Sequence, residues 1–344
     1  MWDEVIGHED NKKFLQRLLK GAQHPHALLF FGPDGVGKKF LAQHFASTLL
    51  CLHRQDTEPC GKCESCRLLN FKDGNFAHPD FLQVEPDPES KLHIIKVEQL
   101  QNLISQAAFG PTLGSHKICI IDEAETMNVE AANAFLKLLE EPPTGWIFIL
   151  IVANKNRLLP TILSRVVQVR FNPLTPAETE QILQQQEIAP QKARILARLG
   201  HGSLGWVQYY SEMEVDNLRP LVFEYLSRVP FAAPTAYLFE NDYLDVPLSL
   251  GPWDDERQVA LFCELVQGVL RDVFFLKMAL PAQVMNCDEM DKLQELAARW
   301  PEATLSAAVR AAGEAARQVA ARTNRKTVLE LLTFKLNDCF EGRA

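Results

Sequence analysis

Short, uninterrupted apolar runs alternate along the first half of the chain with stretches of helical periodicity. Residues 27–31 (ALLFF) run straight into GPDGVGKK at 32–39, and KKFLAQHFASTLLCL then carries apolar residues at helical spacing. KICIID (117–122) is a second run, ending in Asp122 with Glu123 behind it. NVEAANAFLKLLEEPP (128–143) reads as a helix stopped by Pro142 and Pro143. WIFILIV (146–152) and VVQVRF (166–171) are two further strands, separated by the loop NKNRLLPTILSR. Strands alternating with helices predict a parallel α/β sheet. After LTPAE the pattern turns wholly helical. Residues 174–208 read as a small helical lid whose last helix opens at GHGSLG (200–205), and 215–344 as a helical region broken near 229–253. The final helix lines up Leu329, Leu332 and Leu336, with Val328 and Leu331 alongside, a stripe that suits core packing and subunit contact equally.

The segment between the first strand and its helix carries the first candidate chemistry. Gly32, Gly37 and Lys38 fill the phosphate-loop pattern G-x-x-x-x-G-K-[ST], and strand, glycine loop, helix is the context that pattern requires. Backbone N–H groups around Gly35 and Gly37 would cradle phosphate oxygens, and Lys38 would reach the terminal phosphates. Asp122 would orient Mg²⁺ or its water, and Glu123 would polarise an attacking water. The eighth letter breaks the pattern. A serine or threonine hydroxyl is a Mg²⁺ ligand; the ammonium of Lys39 cannot be one and repels the ion if turned inward.

Charge and cysteine usage narrow the remaining classes. A net charge of −9 makes the whole chain no trap for nucleic acid, so any DNA contact is local or shared with partners. MWDEVIGHED has neither the basic nor the apolar region of a signal peptide, and no apolar run approaches a membrane span, so the expectation is a cytoplasmic chain of two or three domains. Four of the eight cysteines, Cys51, Cys60, Cys63 and Cys66, are spaced C-x8-C-x2-C-x2-C. In a cytoplasmic chain that spacing reads as a Zn²⁺ knuckle turned at Gly61, closed by four thiolates and therefore structural, with no need of His53 or His78. The remaining cysteines, Cys119, Cys263, Cys287 and Cys339, are scattered and read as small hydrophobes.

WDEVIGHE (2–9), the cysteine module directly after the phosphate-loop helix, AANAFLKLLEEPP (131–143), LLPTILSR (158–165) and NRKTVLELLTFKL (324–336) together resemble the AAA+ clamp-loader subunits of bacterial DNA polymerase III. The resemblance implies an α/β P-loop AAA+ domain over 1–172 with an inserted zinc module at 51–66. It also implies a helical lid domain over 173–212 and an all-α oligomerisation collar over 213–344. It further implies partners: motor ATPase subunits and a delta subunit in a hetero-pentamer, and through them a sliding clamp and primer-template DNA. LLPTILSR resembles the family's S-R-C motif with Val166 at the cysteine. Arg165 is thereby the expected arginine finger for a neighbour's ATP, the plain alternative being a pairing with an acid at a strand edge. Against the motor members, Lys39 replaces the hydroxyl, Ala153 stands at sensor 1 with Asn154 one place on, and Gly205 stands at the sensor 2 arginine. That is the pattern of the family's non-hydrolysing, stator-like member. Asp122, Glu123 and Lys38 are retained, so weak ATP/Mg²⁺ binding stays open while unaided hydrolysis is not expected. Two other classes stay in view: a slow motor-type ATPase and a zinc-dependent nucleic-acid binder.

Overall fold

A strand inside a parallel sheet is covered on both faces, so it reads as an unbroken apolar run rather than an alternation. The computed structural model, which describes residue 2 and residues 5–21, 24–71, 75–87, 93–212, 215–231, 256–320 and 323–343, has such a sheet. Most of the break expected near 229–253, and Asp3 and Glu4 of the N-terminal box, lie outside the described residues. Two compact units emerge: residues 1–193 with 200–206, and residues 194–199 with 207–344.

In chain order the elements of the first half are α1 (Glu9–Lys20), β1 (Ala27–Phe31), α2 (Lys38–Leu50), α3 (Glu64–Leu68), β2 (Leu69–Asn70), β3 (Asn75–Phe76), β4 (Phe81–Val84), α4 (Val97–Ala107), β5 (Lys117–Ile121), α5 (Val129–Glu140), β6 (Trp146–Val152), α6 (Pro160–Leu163), β7 (Val167–Arg170) and α7 (Pro176–Gln185). The main sheet has five parallel strands in the order β4-β5-β6-β1-β7, and β2 with β3 forms a separate antiparallel pair. Successive residues of the central strands serve opposite layers. Leu28, Phe30, Ile118, Ile120, Ile147, Ile149 and Ile151 pack with Leu15, Leu41 and Phe45 from α1 and α2. Leu29, Cys119, Ile121, Phe148 and Leu150 pack with Leu100, Leu103, Phe135 and Leu139 from α4 and α5. The four strands read from apolar runs are all present. The edge strand β4 is the one that pattern does not announce, because FLQV is four residues long and its two middle residues are only half-buried.

A polar chain ties the segment before β4 to its surroundings. Asp80 is fully buried, and its carboxylate accepts from the backbone N–H groups of Thr112 at 2.6 Å, Leu113 at 2.7 Å and Gly114 at 3.4 Å. His78 Nδ1 accepts the N–H of Asp80 at 3.0 Å, which leaves the Nε2 hydrogen to donate to Ser65 Oγ at 2.8 Å. Ser65 in turn donates to the carbonyl of Leu50 at 2.7 Å. Burial lowers the His78 pKa despite nearby Asp80 and Glu64, which keeps the ring in this neutral, single-tautomer role.

Helices α8 (Pro190–Leu199) and α9 (Leu204–Glu212) are followed by α10 (Val215–Ser227), α11 (Glu256–Lys277), α12 (Met290–Arg299), α13 (Glu302–Ala320) and α14 (Arg325–Phe340). The second unit is helical throughout its described residues. Alanines of α13 (Ala308, Ala312, Ala315) are buried, and a side chain at Gly313 would meet Gln267 of α11 at 2.4 Å, so small residues let these two helices approach closely. The α14 stripe divides: Val328, Leu329, Leu332 and Leu336 are buried, whereas Leu331 is 49% exposed with Phe334 beside it at 43%.

Asp80→Asn should destabilise the first unit by about 2–3 kcal/mol, because an amide NH₂ would face backbone donors and two charge-assisted bonds would be lost. Urea unfolding of the two proteins checks this, and the cost should persist at high salt because the carboxylate is buried.

Candidate functional site: a phosphate-loop pocket and a four-cysteine cluster

Parallel strands bring their C-terminal ends to one edge of a sheet, and loops leaving those ends share a crevice. Gly32 follows β1, Glu85 follows β4, Asp122 follows β5 and Ala153 follows β6. Asp122 and Ala153, with the glycine loop, the start of α2 and Leu204, surround a cavity of about 470 Å³, whose walls include Gly35, Gly37, Lys38, Lys39, Asp122 and Glu123. The sequence-predicted nucleotide residues therefore do converge, except that Gly32 sits at the loop's entry, packed on β7's end. A side chain there would lie 2.2 Å from the carbonyl of Phe171, and φ is +151°. Gly35 (φ +70°) and Gly37 (φ +101°) hold left-handed conformations that favour glycine.

Helix α2 begins with two adjacent lysines and no acid in its first turn. Cations at a helix N-terminus oppose its dipole, so each ammonium requires compensation. Lys38 is 5% exposed and turns back on its own loop. Its Nζ donates to the carbonyls of Gly32 at 2.6 Å and Pro33 at 2.7 Å and to Asp34 Oδ1 at 3.3 Å. Those three acceptors use all three of its hydrogens.

Lys39 lies between two carboxylates, with Nζ 2.9 Å from Asp122 Oδ2 and 3.0 Å from Glu85 Oε2. Burial works against its charge, but the hydrogen bonds and charges of Asp122 and Glu85 outweigh that, and its pKa is raised. Burial likewise opposes ionisation of Glu85, yet Lys39 and Gln83 prevail and its pKa is lowered. Glu85 is a site residue the sequence reading missed; only placement of the short β4 could have located it.

The other residues are held by their own neighbourhood. Glu123 has φ +49°, an uncommon conformation for a side-chain-bearing residue, and its carboxylate is 2.7 Å from His93 Nε2. Glu125 Oε1 accepts the N–H of Ala153 at 2.6 Å, fixing the backbone just past β6. GHGSLG closes on the loop: the N–H of Leu204 donates to the Gly35 carbonyl at 2.8 Å and Ser203 Oγ donates to the Asp34 carbonyl at 2.8 Å. A side chain on Gly35 would meet Ser203 Oγ at 2.4 Å and the Gly205 nitrogen at 2.6 Å. Arg165, outside the pocket, is one-third exposed and lies 2.9 Å from Glu140 Oε1, while its Nη1 donates to the Thr161 carbonyl at 3.0 Å. In this single chain Arg165 thus pairs with an acid, one that ends α5 rather than lying at a strand edge.

Cys51, Cys60, Cys63 and Cys66 place their four sulfurs within 4.8 Å of one another, and among the described residues this is the cluster able to hold a metal ion. The Cys51 and Cys63 sulfurs are 3.9 Å apart, close to the roughly 3.8 Å edge of a tetrahedron with ~2.3 Å metal–sulfur bonds. Backbone N–H groups point at the sulfurs: Cys60 to Cys51 at 3.2 Å, Cys63 to Cys60 at 3.4 Å and Cys66 to Cys63 at 3.5 Å. The N–H of Lys62, then that of Cys63, brings the Cys60 pKa down to about 6. Cys63 is lowered as well, its burial outweighed by the N–H groups of Cys66 and Leu52, whereas burial raises Cys51 and Cys66. A group that favours thiolates at two of its four positions fits a cation. His78 is occupied by Ser65 and Asp80 rather than by the cluster.

Comparison with known proteins accords with this site. The family model described as DNA polymerase III, delta subunit, matches residues 7–175, which include the loop, the cysteines, Asp122 and Arg165. The DNA polymerase III subunit delta′ of Pseudomonas aeruginosa is 34% identical over 267 residues, covering 73% of this chain and 73% of that one. This chain belongs to the DNA polymerase III delta′ family. A delta′ relative from Bacillus subtilis is 29% identical over 95% of both chains. A subunit tau/gamma of Haemophilus influenzae is 33% identical over 207 residues, 58% of this chain and 29% of that much longer one. The delta′ match spans the loop, yet a divalent cation on Asp122 would have to displace an ammonium already bonded there. The residues present do not fit Mg²⁺.

The pH dependence of the Lys39–Glu85 contact follows from the directions of the shifts. A lowered carboxyl pKa contributes stability that is complete above the ordinary value of 4.5 and is lost as pH falls through the folded value. The raised Lys39 pKa acts at the other end, where its share is complete below 10.5 and lost in strong alkali. Glu85→Gln should therefore be less stable than the unaltered chain by about 0.5–1 kcal/mol near neutrality, a modest figure because both groups are partly exposed. The difference should close in acid, as followed by urea unfolding from pH 3 to 7 ~ in steps of about one unit.

Proposed function

We propose that this chain is the delta′-type subunit of a DNA polymerase III clamp loader, an AAA+ protein that helps place the sliding clamp on primed DNA while hydrolysing little or no ATP itself. The observation that carries the reading is Lys39 bonded to Asp122 in a chain of the delta′ family. The division into a P-loop domain over 1–172, a lid over 173–212 and a collar over 213–344 belongs to this proposal. So does assembly with motor ATPase and delta subunits through the collar, for which exposed Leu331 and Phe334 are candidate contacts. Among the described residues no helix is long and apolar enough to cross a membrane, which suits a cytoplasmic role. A motor-type ATPase has Asp122 and Glu123 in its favour, but Lys39, Ala153 and Gly205 remove the metal ligand, the polar sensor and the sensor arginine.

Within that complex Arg165 is the residue we assign to chemistry on a neighbouring subunit's ATP. Its guanidinium has five donors, and contacts with Glu140, Thr161 and Ser164 leave capacity for phosphate oxygens in a planar fork. The ion pair with Glu140 is half-exposed, so exchanging that carboxylate for a phosphate costs little. The four-cysteine cluster we assign to structural Zn²⁺, which four thiolates would hold in a closed tetrahedron with no open position for catalysis.

Reconstituted complexes test the finger. A finger supplied in trans contributes roughly 10³–10⁵ at its own site, so Arg165→Ala should silence one site and lower clamp- and DNA-stimulated ATP turnover by that site's share. Assembly and zinc content should be unchanged, Arg165→Lys should rescue poorly, and the isolated chain should turn over no ATP at all. Complexes of Arg165→Ala that load clamps at the unaltered rate would leave Arg165 a structural ion-pair residue.

Metal analysis tests the cluster separately. Purified, metal-replete chain should carry one Zn²⁺, and Cys63→Ser should lose it together with several kcal/mol, on the order of 3 or more, of stability. A folded protein with zinc near zero would refute the assignment.

A further inference from the structure

The pocket sets an electrostatic problem that the chain solves without help. The pairing of Val84 with Ile121 puts the next residues, Glu85 and Asp122, side by side at the ends of adjacent strands. Their oxygens converge on one atom, Lys39 Nζ, at 3.0 and 2.9 Å. Two carboxylates facing a helix N-terminus at this range invite a cation, and in a phosphate-loop enzyme a hydrated Mg²⁺ answers beside a hydroxyl at the position Lys39 occupies. Here the hydroxyl is gone and a charge has arrived in its place. Lys38 closes the rest of the loop by bonding its carbonyls, and Ser203 and Leu204 cap the carbonyls of Asp34 and Gly35.

We infer that Lys39 is the resident cation of the phosphate-loop pocket: its ammonium stands in for the divalent metal and ties α2 to the ends of β4 and β5. The loop therefore keeps its form with neither metal nor nucleotide present. A divalent ion and Lys39 are alternatives at Asp122, so the metal site is suppressed rather than dismantled, and removing the ammonium should restore it. The inference rests on the reading of this pocket as a non-hydrolysing one. Its test uses the isolated, zinc-loaded chain, so a failure to assemble with clamp-loader partners and a failure of this inference are separate results.

Mn²⁺ is the probe, its binding followed by electron paramagnetic resonance and its effect on the fold by Tm. The unaltered chain should bind no Mn²⁺ in the pocket, and millimolar Mn²⁺ should leave its Tm unmoved. Lys39→Ser restores a ligand oxygen and removes the charge. It should have a lower Tm without metal, bind one Mn²⁺ at least about tenfold more tightly than the unaltered chain, and regain Tm as that site fills. Adding Asp122→Asn to Lys39→Ser should abolish the Mn²⁺ signal, and Lys39→Arg, which keeps a cation, should behave as the unaltered chain. Tight Mn²⁺ binding at Asp122 in the unaltered chain would overturn the inference. So would a Lys39→Ser chain that neither loses Tm nor gains Mn²⁺. Should Lys39→Ser prove too unstable to purify, Asp122→Asn in the Lys39 background decides. It must lower Tm, and an unchanged Tm would mean that the ammonium ties nothing together.

Discussion

Two carboxylates brought to the N-terminus of a helix by neighbouring strands need positive charge between them, and the order of this sheet makes their meeting unavoidable. The chain leaves the interior strand β1 through the glycine loop and α2, travels to the edge to make β4, and returns through β5 and β6. Glu85 and Asp122 therefore emerge next to each other in front of α2, whichever ligand the pocket holds. Lys39, at the second position of α2, is within reach of both. The balancing charge here is covalently attached and costs no binding entropy.

The same economy recurs around the glycine loop and ahead of β5. Lys38 satisfies carbonyls of its own loop, Ser203 and Leu204 satisfy the next ones, and Glu125 holds the backbone at Ala153. Asp80 gathers backbone N–H groups ahead of β5, and His78 passes that order to Ser65 inside the cysteine module. A pocket supported in this way from within does not depend on a ligand to become ordered. Arg165 is the exception, since its partner Glu140 is half-exposed and exchangeable.

Much of this was legible in the sequence, for reasons that differ from residue to residue. ALLFF, KICII and WIFILIV declare themselves because strands covered on both faces cannot afford polar interruptions. The cysteine cluster is legible because short spacings in one segment leave the thiols little freedom to separate. Lys39 announces that something has changed, but its partner Glu85 is hidden. FLQV is too short and too mixed to read as a strand, so the register that places Glu85 beside Asp122 had no signal. Lys38 was read from the phosphate-loop pattern as a phosphate ligand. Its turn toward Gly32 and Pro33 is decided by three-dimensional proximity, which no pattern of residue types contains. The α14 stripe was ambiguous by periodicity alone; burial separates its packed leucines from exposed Leu331.

The backbone contact between the glycine loop and GHGSLG restricts what can stand at its two glycines. Gly35 and Gly205 approach so closely that a β-carbon on Gly205 would sit 3.2 Å from the Gly35 Cα, and one on Gly35 would strike Ser203 and Gly205. A large side chain at 205 would have to pry this contact open, and the opened loop would then lose the donors that now satisfy its carbonyls. Any side chain at either glycine therefore works against the hydrogen bonds that hold the loop to GHGSLG.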